Sequence, residues 1–246
     1  MYLHIFDSPA KDAGLNLAFE EYLLRFFPKE PQHGYLFFYE SNKAIILGQS
    51  LKLEQEVFLH KHIPPIYRRL SGGGSVCHFP GNLNFAFFVN YECYPYFYPI
   101  KKSYDKILGA ISQNIPGVVP MGISDLCLFT SQGYGKLSGN SQARKKGWLM
   151  HHGTFIYRKD FLNTIRFYLR LPPKQPAYRQ NRSHELFLSL VLPIKSRALL
   201  KNSLIKALSE LLQLKPRLHD WSSKKMVEKL RQFQLPIPRV YDLSTR

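Results

Sequence analysis

The stretch that most limits what this chain can become is RRLSGGGSVCHFPGNLN, residues 68–84. Three consecutive glycines, Gly72, Gly73 and Gly74, cost backbone entropy on folding, so their grouping calls for a use. Arg68 and Arg69 stand just before them, an apolar segment at 63–67 leads in, and another at 85–89 leads out. Bare peptide N–H groups beside arginine forks suit a phosphate or a carboxylate. On these residues alone a flexible hairpin loop remains the alternative. The run is not a P-loop, because Val76, Cys77 and His78 follow where Lys-Ser/Thr and a helix would be required. It is not a dinucleotide fingerprint either, because the glycines are unspaced and lead toward a strand.

Around this loop the periodicity predicts strands at 2–6, 35–39, 44–47, 84–90, 125–129, 136–141 and 148–157. Ser41-Asn42-Lys43 reads as the turn of a hairpin joining 35–39 to 44–47. Gly133-Tyr134-Gly135 and Lys145-Lys146-Gly147 read as two further turns. Helical spacing predicts helices at 13–27, 53–60, 103–115, 160–169, 183–190, 195–214 and 222–233, with Asp12 as the N-cap of the first. On that first helix Asn16, Glu20 and Glu21 read as a polar face. The aromatic segment 91–100 carries Pro95 and Pro99 and reads as loop, and 235–246 as a partly ordered tail. Strands come mostly first and helices mostly last, without strict alternation. The fold expected is therefore α+β: a mixed, largely antiparallel sheet with packed helices. The whole chain, 1–246, reads as one domain, helical from about residue 160, with a small C-terminal lobe after about 170 as the alternative.

Composition enters where partners and compartment are concerned. The 246 residues carry a net charge of +17. Residues 158–246 hold nineteen Lys and Arg against six Asp and Glu. Such a basic half suits an acidic partner, protein or nucleic acid. Cys77, Cys93 and Cys127 are an odd count without metal-ligand spacing, which fits a reduced, cytoplasmic protein and no metal centre. No 18-residue apolar run predicts a membrane span, and the N-terminus lacks the pattern of a secretion signal.

A second segment carries candidate chemistry: KLSGNSQARKKGWLMHHG, residues 136–153. Strict alternation with Leu137 in the core puts Lys136 and Ser138 together on the opposite face. A lysine beside a glycine-lined cavity can meet a phosphate, polarise a carbonyl or form a Schiff base; a solvated strand lysine is the plain alternative. His151 and His152 fall on opposite faces, so at most one lines a given pocket.

Taken in order, Arg68-Arg69-Leu70-Ser71-Gly72-Gly73-Gly74, Gly81-Asn82, Ser124-Asp125-Leu126, Lys136-Leu137-Ser138-Gly139 and His152-Gly153-Thr154 resemble the lipoate–protein ligase A family, within the biotin/lipoate ligase and octanoyltransferase superfamily. Asn16-Leu17-Ala18 with Glu20-Glu21, Leu47-Gly48-Gln49, and Gln175-Pro176 through Tyr178-Arg179, Arg182 and His184 extend the resemblance over roughly residues 2–190.

The resemblance implies a class II synthetase-like catalytic domain that activates lipoate (or octanoate) with ATP and Mg2+. The acyl-adenylate then passes its acyl group to a lysine of an acceptor lipoyl domain. It implies Lys136 as the catalytic residue, bridging the α-phosphate and the acyl carbonyl. It implies ATP or adenylate contacts from Arg69, Gly73, Gly74, Ser75, Val76, Cys77, His78 and Asp125. Lipoyl contacts are implied for Arg69, Ser71, Gly72, Asn82, Lys136, Gly139 and His152. The acceptors implied are the acidic lipoyl domains of 2-oxoacid dehydrogenases and the glycine-cleavage H protein, with no nucleic acid and no membrane. Three departures stand out. Phe79 follows His78 where Asp is frequent, Ser124 stands where Asn is common, and no separate C-terminal accessory domain is read, so an accessory subunit is an expected partner. The rival is a cysteine-thioester transferase of the same fold. The positions its nucleophile would take, Leu149 in one branch and residues 117–124 in another, hold no cysteine, and Cys77 and Cys127 read as packing residues. A biotin ligase would show a Gly-Arg-Gly-Arg run, which is missing, and a basic nucleic-acid-binding module is the non-catalytic alternative.

Overall fold

The computed structural model describes residues 1–131, 133–172, 175–188, 196–233, 235 and 238–241. In chain order the elements are β1 (Tyr2–Asp7), α1 (Ala13–Arg25), β2 (Gly34–Tyr39), β3 (Ala44–Leu47), α2 (Leu53–Glu56), β4 (Ile66–Arg68), β5 (Val76–His78), β6 (Asn82–Asn90) and α3 (Ile100–Gln113). There follow β7 (Val118–Met121), β8 (Asp125–Thr130), β9 (Gly133–Lys145), β10 (Trp148–Ile156), α4 (His184–Phe187), α5 (Arg197–Leu212), β11 (Lys215–His219), α6 (Ser223–Gln232) and β12 (Arg239–Tyr241). Short 3-10 turns lie at Pro95–Phe97, Leu162–Phe167 and Ala177–Arg179.

Eight strands form one sheet in the order β11-β1-β2-β6-β10-β9-β8-β7. Only β1 pairs in parallel, with β2 and with β11; the other neighbours are antiparallel. The mixed, largely antiparallel sheet read from the sequence is therefore present. Its centre is buried on both sides, which is why GYLFFY of β2 and the FAFFV within β6 run apolar without a break. Leu36, Phe38, Phe85 and Phe87 face α3 and α5, whereas Phe37, Tyr39, Ala86 and Phe88 face α1 and α6. Asp12 caps α1 by accepting from the Leu15 N–H at 2.7 Å.

A second sheet, β12-β4-β3-β5, holds the glycine loop between β4 and β5. It overturns the expected hairpin: β2 belongs to the large sheet and β3 to the small one. The connection at 40–43 turns toward the segment before α1 instead. The Asn42 N–H donates to Lys11 O at 2.8 Å, and Asn16 Nδ2 reaches the Ser41 hydroxyl at 3.4 Å.

The expected helix at 53–60 shrinks to α2, and that at 160–169 is a 3-10 turn. Residues 133–135 lie inside β9 rather than forming a turn before it; Gln132 is outside the described residues. The helix expected at 183–190 is described only as α4, because 189–195 lie outside the described residues, as does Lys195 of the helix realised as α5. The region after 160 is not wholly helical: β11 extends the large sheet beside β1, and β12, within the expected tail, pairs with β4. Residues 236, 237 and 242–246 of that tail are outside the described residues.

Candidate functional site

The site lies where the two sheets meet. On the small-sheet side, the chain passes from β4 through Arg69 into the glycines. The Arg69 N–H donates to Leu47 O at 3.0 Å, and the Gln49 N–H to Ser71 O at 2.8 Å, so the loop is laced onto the end of β3. Two glycines are required by this approach. A Cβ on Gly48 would sit 2.0 Å from the Gly73 carbonyl oxygen, and Gly73 has φ +87°. The Arg69 guanidinium is spent on the loop itself. Its Nη2 donates to Gly72 O at 2.6 Å and Gly74 O at 2.8 Å, and its Nε to the Ser71 hydroxyl at 3.0 Å. Burial lowers its pKa to about 10, with Glu20 the main charge opposing the shift, so it stays cationic at neutral pH. Arg69 frames the cradle and also lines the cavity.

On the large-sheet side, β9 carries a bulge at Leu137: Leu126 pairs with Ser138, but Cys127 pairs with Lys136. The extra residue re-aims the strand. Strict alternation would set Lys136 opposite to Gly139 and its cross-strand neighbour Asp125. Instead the Lys136 amine lies 2.9 Å from Asp125 Oδ1 and 2.8 Å from where a Cβ of Gly139 would stand. The other Asp125 oxygen accepts from the Tyr178 hydroxyl at 2.8 Å.

The cavity between the two sides has two lobes that share Gly74, Ser75, Val76, Lys136, Gly139 and Thr154. The inner lobe is walled by Leu17, Tyr39, Ile46, Arg69, Gly73, His78, Asp125 and His152. The outer lobe has an apolar wall from Ile156, Phe161, Ile165, Leu169 and Phe187, and it adds Glu56, Cys77, Asn82, Arg170, Arg179 and His184. Most of the candidate residues are thus brought together around this cavity. Asp125 and His78 line the inner lobe, and Asn82 the outer one. Ser71 and Gly72 stand behind the lining, shaping the loop.

His152 is fixed from both ends. Its Nδ1 is 2.9 Å from Glu20 Oε2, and its Nε2 is 2.5 Å from the Ser71 hydroxyl; Tyr39 donates to the other Glu20 oxygen at 3.0 Å. Glu20 is only 2% exposed, so it is no part of a polar face; Asn16 is buried too, and only Glu21 pairs outward, with Arg25. A buried carboxylate thus balances the buried guanidinium through two hydrogen-bonded intermediaries, Ser71 and His152. Burial, with Arg69 and His152 nearby, holds His78 neutral with a pKa near 3, and among the described residues its Nδ1 has no hydrogen-bond partner. His151, on the other face of β10 as expected, is held by Gln142 and Asn140 and takes no part in the cavity.

The thiols are unsuited to nucleophilic work. Burial pushes Cys127 up to about 12 and Cys77 higher still, and Cys93 lines neither lobe. Among the described residues no three His, Cys, Asp or Glu side chains converge to hold a metal ion. None of the described helices is long and apolar enough to cross a membrane.

Comparison with known proteins agrees with this geometry. The family described as the lipoyl protein ligase A/B catalytic domain matches residues 12–187. The chain belongs to that family. Lipoate–protein ligase 1 of Staphylococcus aureus is 32% identical over 165 residues, 66% of this chain and 48% of that protein. The lipoate–protein ligase LplJ of Bacillus subtilis is 32% identical over 158 residues, 63% and 46% respectively. The chain therefore spans about half the length of the curated relatives it matches. Two solved structures share the fold. The bi-partite lipoate protein ligase of Thermoplasma acidophilum, studied with its E2 lipoyl domain, has a TM-score of 0.72 at 20% identity, covering 94% of this chain and 92% of that one. LipL1 of P. falciparum, in complex with lipoate, has a TM-score of 0.70 at 18% identity, covering 97% and 72%.

The sequence assigned no site role to Glu20, Tyr39, Thr154, Arg170 or the 178–184 segment. The first was disguised as an ordinary helix surface residue. The 178–184 segment had been noticed for its pattern, but nothing local tied it to Lys136.

Proposed function

We propose that the chain is an ATP-dependent lipoate–protein ligase, or its catalytic part, with residues 1–246 acting as one catalytic body. The observation that carries this reading is a single amine, Lys136, at the junction of two lobes, across from a glycine strand. A mixed anhydride of a fatty acid and AMP has that form: an apolar chain and a nucleoside joined at one phosphate. The outer lobe, with apolar walls for a base and with Arg170, Arg179 and His184 for phosphates, is assigned to ATP. The inner lobe is assigned to the acyl chain. Mg2+ would enter with the nucleotide; Glu56, which lines the outer lobe and accepts from the Ser75 hydroxyl at 2.8 Å, would be the carboxylate on that side, with Asp125 in the neighbouring lobe.

The first step forms a bond from a carboxylate oxygen of the acid to the α-phosphorus and breaks the bond to the β-phosphate, releasing pyrophosphate. The second forms an amide bond from the target lysine nitrogen to the acyl carbon. AMP leaves with the electron pair, and the nitrogen loses a proton. Both steps build charge on oxygens beside the same phosphate, and a fixed ammonium lowers the barrier to each. The loop N–H groups of Gly74, Ser75 and Val76 supply the second side of the cradle.

The name of the Thermoplasma relative supports an E2 lipoyl domain as acceptor, and the basic C-terminal half suits an acidic one. The H protein, an accessory subunit and a cytoplasmic location remain part of this proposal; three free cysteines are consistent with a reducing compartment. The test is incubation with lipoate, Mg-ATP and an apo lipoyl domain, read by mass spectrometry. The acceptor should gain one lipoyl group only with ATP, and Lys136→Ala should form no adenylate while melting normally. Acyl transfer without ATP, or unchanged turnover in that variant, would refute the reading.

A further inference from the structure

We propose that Tyr178 is a positioning residue for the acyl-transfer centre: its hydroxyl holds Asp125 so that the carboxylate engages the Lys136 amine through one oxygen alone. The inference rests on the ligase reading for its chemistry, but its geometry is independent of it. Tyr178 lines neither lobe, whereas Asp125, which its hydroxyl meets, lines the inner one. It lies in the turn Ala177–Arg179, and its hydroxyl donates to Asp125 Oδ2 at 2.8 Å while Lys136 Nζ sits 2.9 Å from Oδ1.

The placement of the ring is fixed. It packs against Gly122, where an added Cβ would lie 3.4 Å from the ring and where φ is +59°. Burial beside the carboxylate keeps the phenol protonated far above its ordinary range, so it donates at any working pH. The next residue, Arg179, lines the outer lobe and stacks on Phe187 with its guanidinium 4.8 Å from the ring.

An ammonium has three N–H donors. With Asp125 Oδ2 occupied by Tyr178, the carboxylate takes one of them, leaving two for the α-phosphate and the acyl oxygen. Without the phenol, the carboxylate is free to turn both oxygens to Lys136 and draw the amine from the reacting atoms. Tyr178 also joins the turn that carries Arg179 to the strand that carries Asp125, so ordering the outer lobe and aiming the amine are one event.

The test is Tyr178→Phe, compared with Asp125→Asn and the double variant, by steady-state adenylate formation and by crystallography. Tyr178→Phe should lower kcat about 10- to 100-fold, the loss expected for an ångström-scale misplacement, with KM for acid and ATP nearly unchanged. The double variant should be no slower than Asp125→Asn alone, because the phenol acts only through the carboxylate. In the crystal structure of Tyr178→Phe, both Asp125 oxygens should face Lys136. Wild-type turnover in Tyr178→Phe, or losses that multiply in the double variant, would overturn the assignment. If the wild type makes no adenylate, the ligase reading fails by itself. The crystal structure then decides on Tyr178, and an unchanged Lys136–Asp125 pair in the variant overturns the role.

Discussion

Gly139→Ala separates the fold from the chemistry more cleanly than removing the lysine does. A Cβ at this position would stand 2.8 Å from Lys136 Nζ and 2.9 Å from its Cε. Ordinary carbon contacts lie at about 3.5–4.0 Å, so the end of the lysine must retreat by roughly 0.7–1 Å. It can, because that end is flexible and a quarter exposed. Gly139 lies outside the left-handed region, so alanine brings no backbone strain. Losing a partly exposed ion pair costs about 0–1 kcal/mol. Stiffening the unfolded chain returns about 0.4–1 kcal/mol. Stability should therefore hold, with Tm within about 3 °C of wild type. The amine, however, leaves Asp125 and the shared wall of the two lobes. A misplacement of this size costs on the order of 100-fold in rate, or about 2.7 kcal/mol of barrier. Pyrophosphate release under single-turnover conditions, run beside a thermal melt, reads both quantities. Full turnover in Gly139→Ala would refute the placement of Lys136, and a melt lowered by ten degrees or more would refute the claim that only the lysine has to move.

Three further outcomes are expected. Gly48→Ala drives a Cβ to 2.0 Å from a backbone oxygen that cannot step aside, so it should lose several degrees of Tm and nucleotide binding together; calorimetry with ATP reads both. Glu20→Ala leaves the Tyr39 hydroxyl and the His152 Nδ1 without their acceptor and Arg69 without its nearest opposite charge, costing about 3–5 kcal/mol in urea unfolding; a cost under 1 kcal/mol would contradict it. Acid should also destabilise the fold. His78 and His151 are buried with pKa values near 3, below the unfolded value of about 6.5, so the unfolded chain binds more protons in between. Their stabilisation is complete above pH 6.5 and is lost as pH falls toward 3, about 2 kcal/mol each by pH 5; equal urea midpoints at pH 7.5 and 5 would count against it.

What could be read in advance follows from where the signal lies along the chain. The central strands showed because both their faces are buried, and α1 showed because its apolar stripe and its Asp12 cap are local. β11 did not. Lys215, Pro216 and Arg217 are exposed on an edge strand, where pairing is by backbone and side chains carry no pattern. The false hairpin had the right turn residues, but turn chemistry cannot say which of two sheets a strand will join. Lys136 was legible as a residue and not as a direction, since one bulged residue at Leu137 reverses the face on which its neighbours are counted. Glu20 was illegible for a different reason. Its partner His152 is 132 residues away, and a carboxylate on a helix looks solvated until the opposing strand is laid beside it.

The same distance in sequence explains how the site is built. The glycine loop belongs to the small sheet and the amine to the large one, so neither sheet carries the chemistry alone. Apolar packing joins them, as where Ile156 of β10 meets Ile45, Leu47 and Ile66, and a line of buried polar groups adds direction to that contact. Arg69 on one side and Glu20 on the other are linked through Ser71 and His152 in a continuous line of hydrogen bonds. Apolar contacts tolerate sliding, whereas a guanidinium and a carboxylate joined through two directional intermediaries do not, because each lost bond strands a buried polar group. A cradle that must meet an amine to within an ångström at one phosphate therefore gains from being fixed by this line. Asp125 and Tyr178 repeat the device at the other wall, where the lysine itself is aimed.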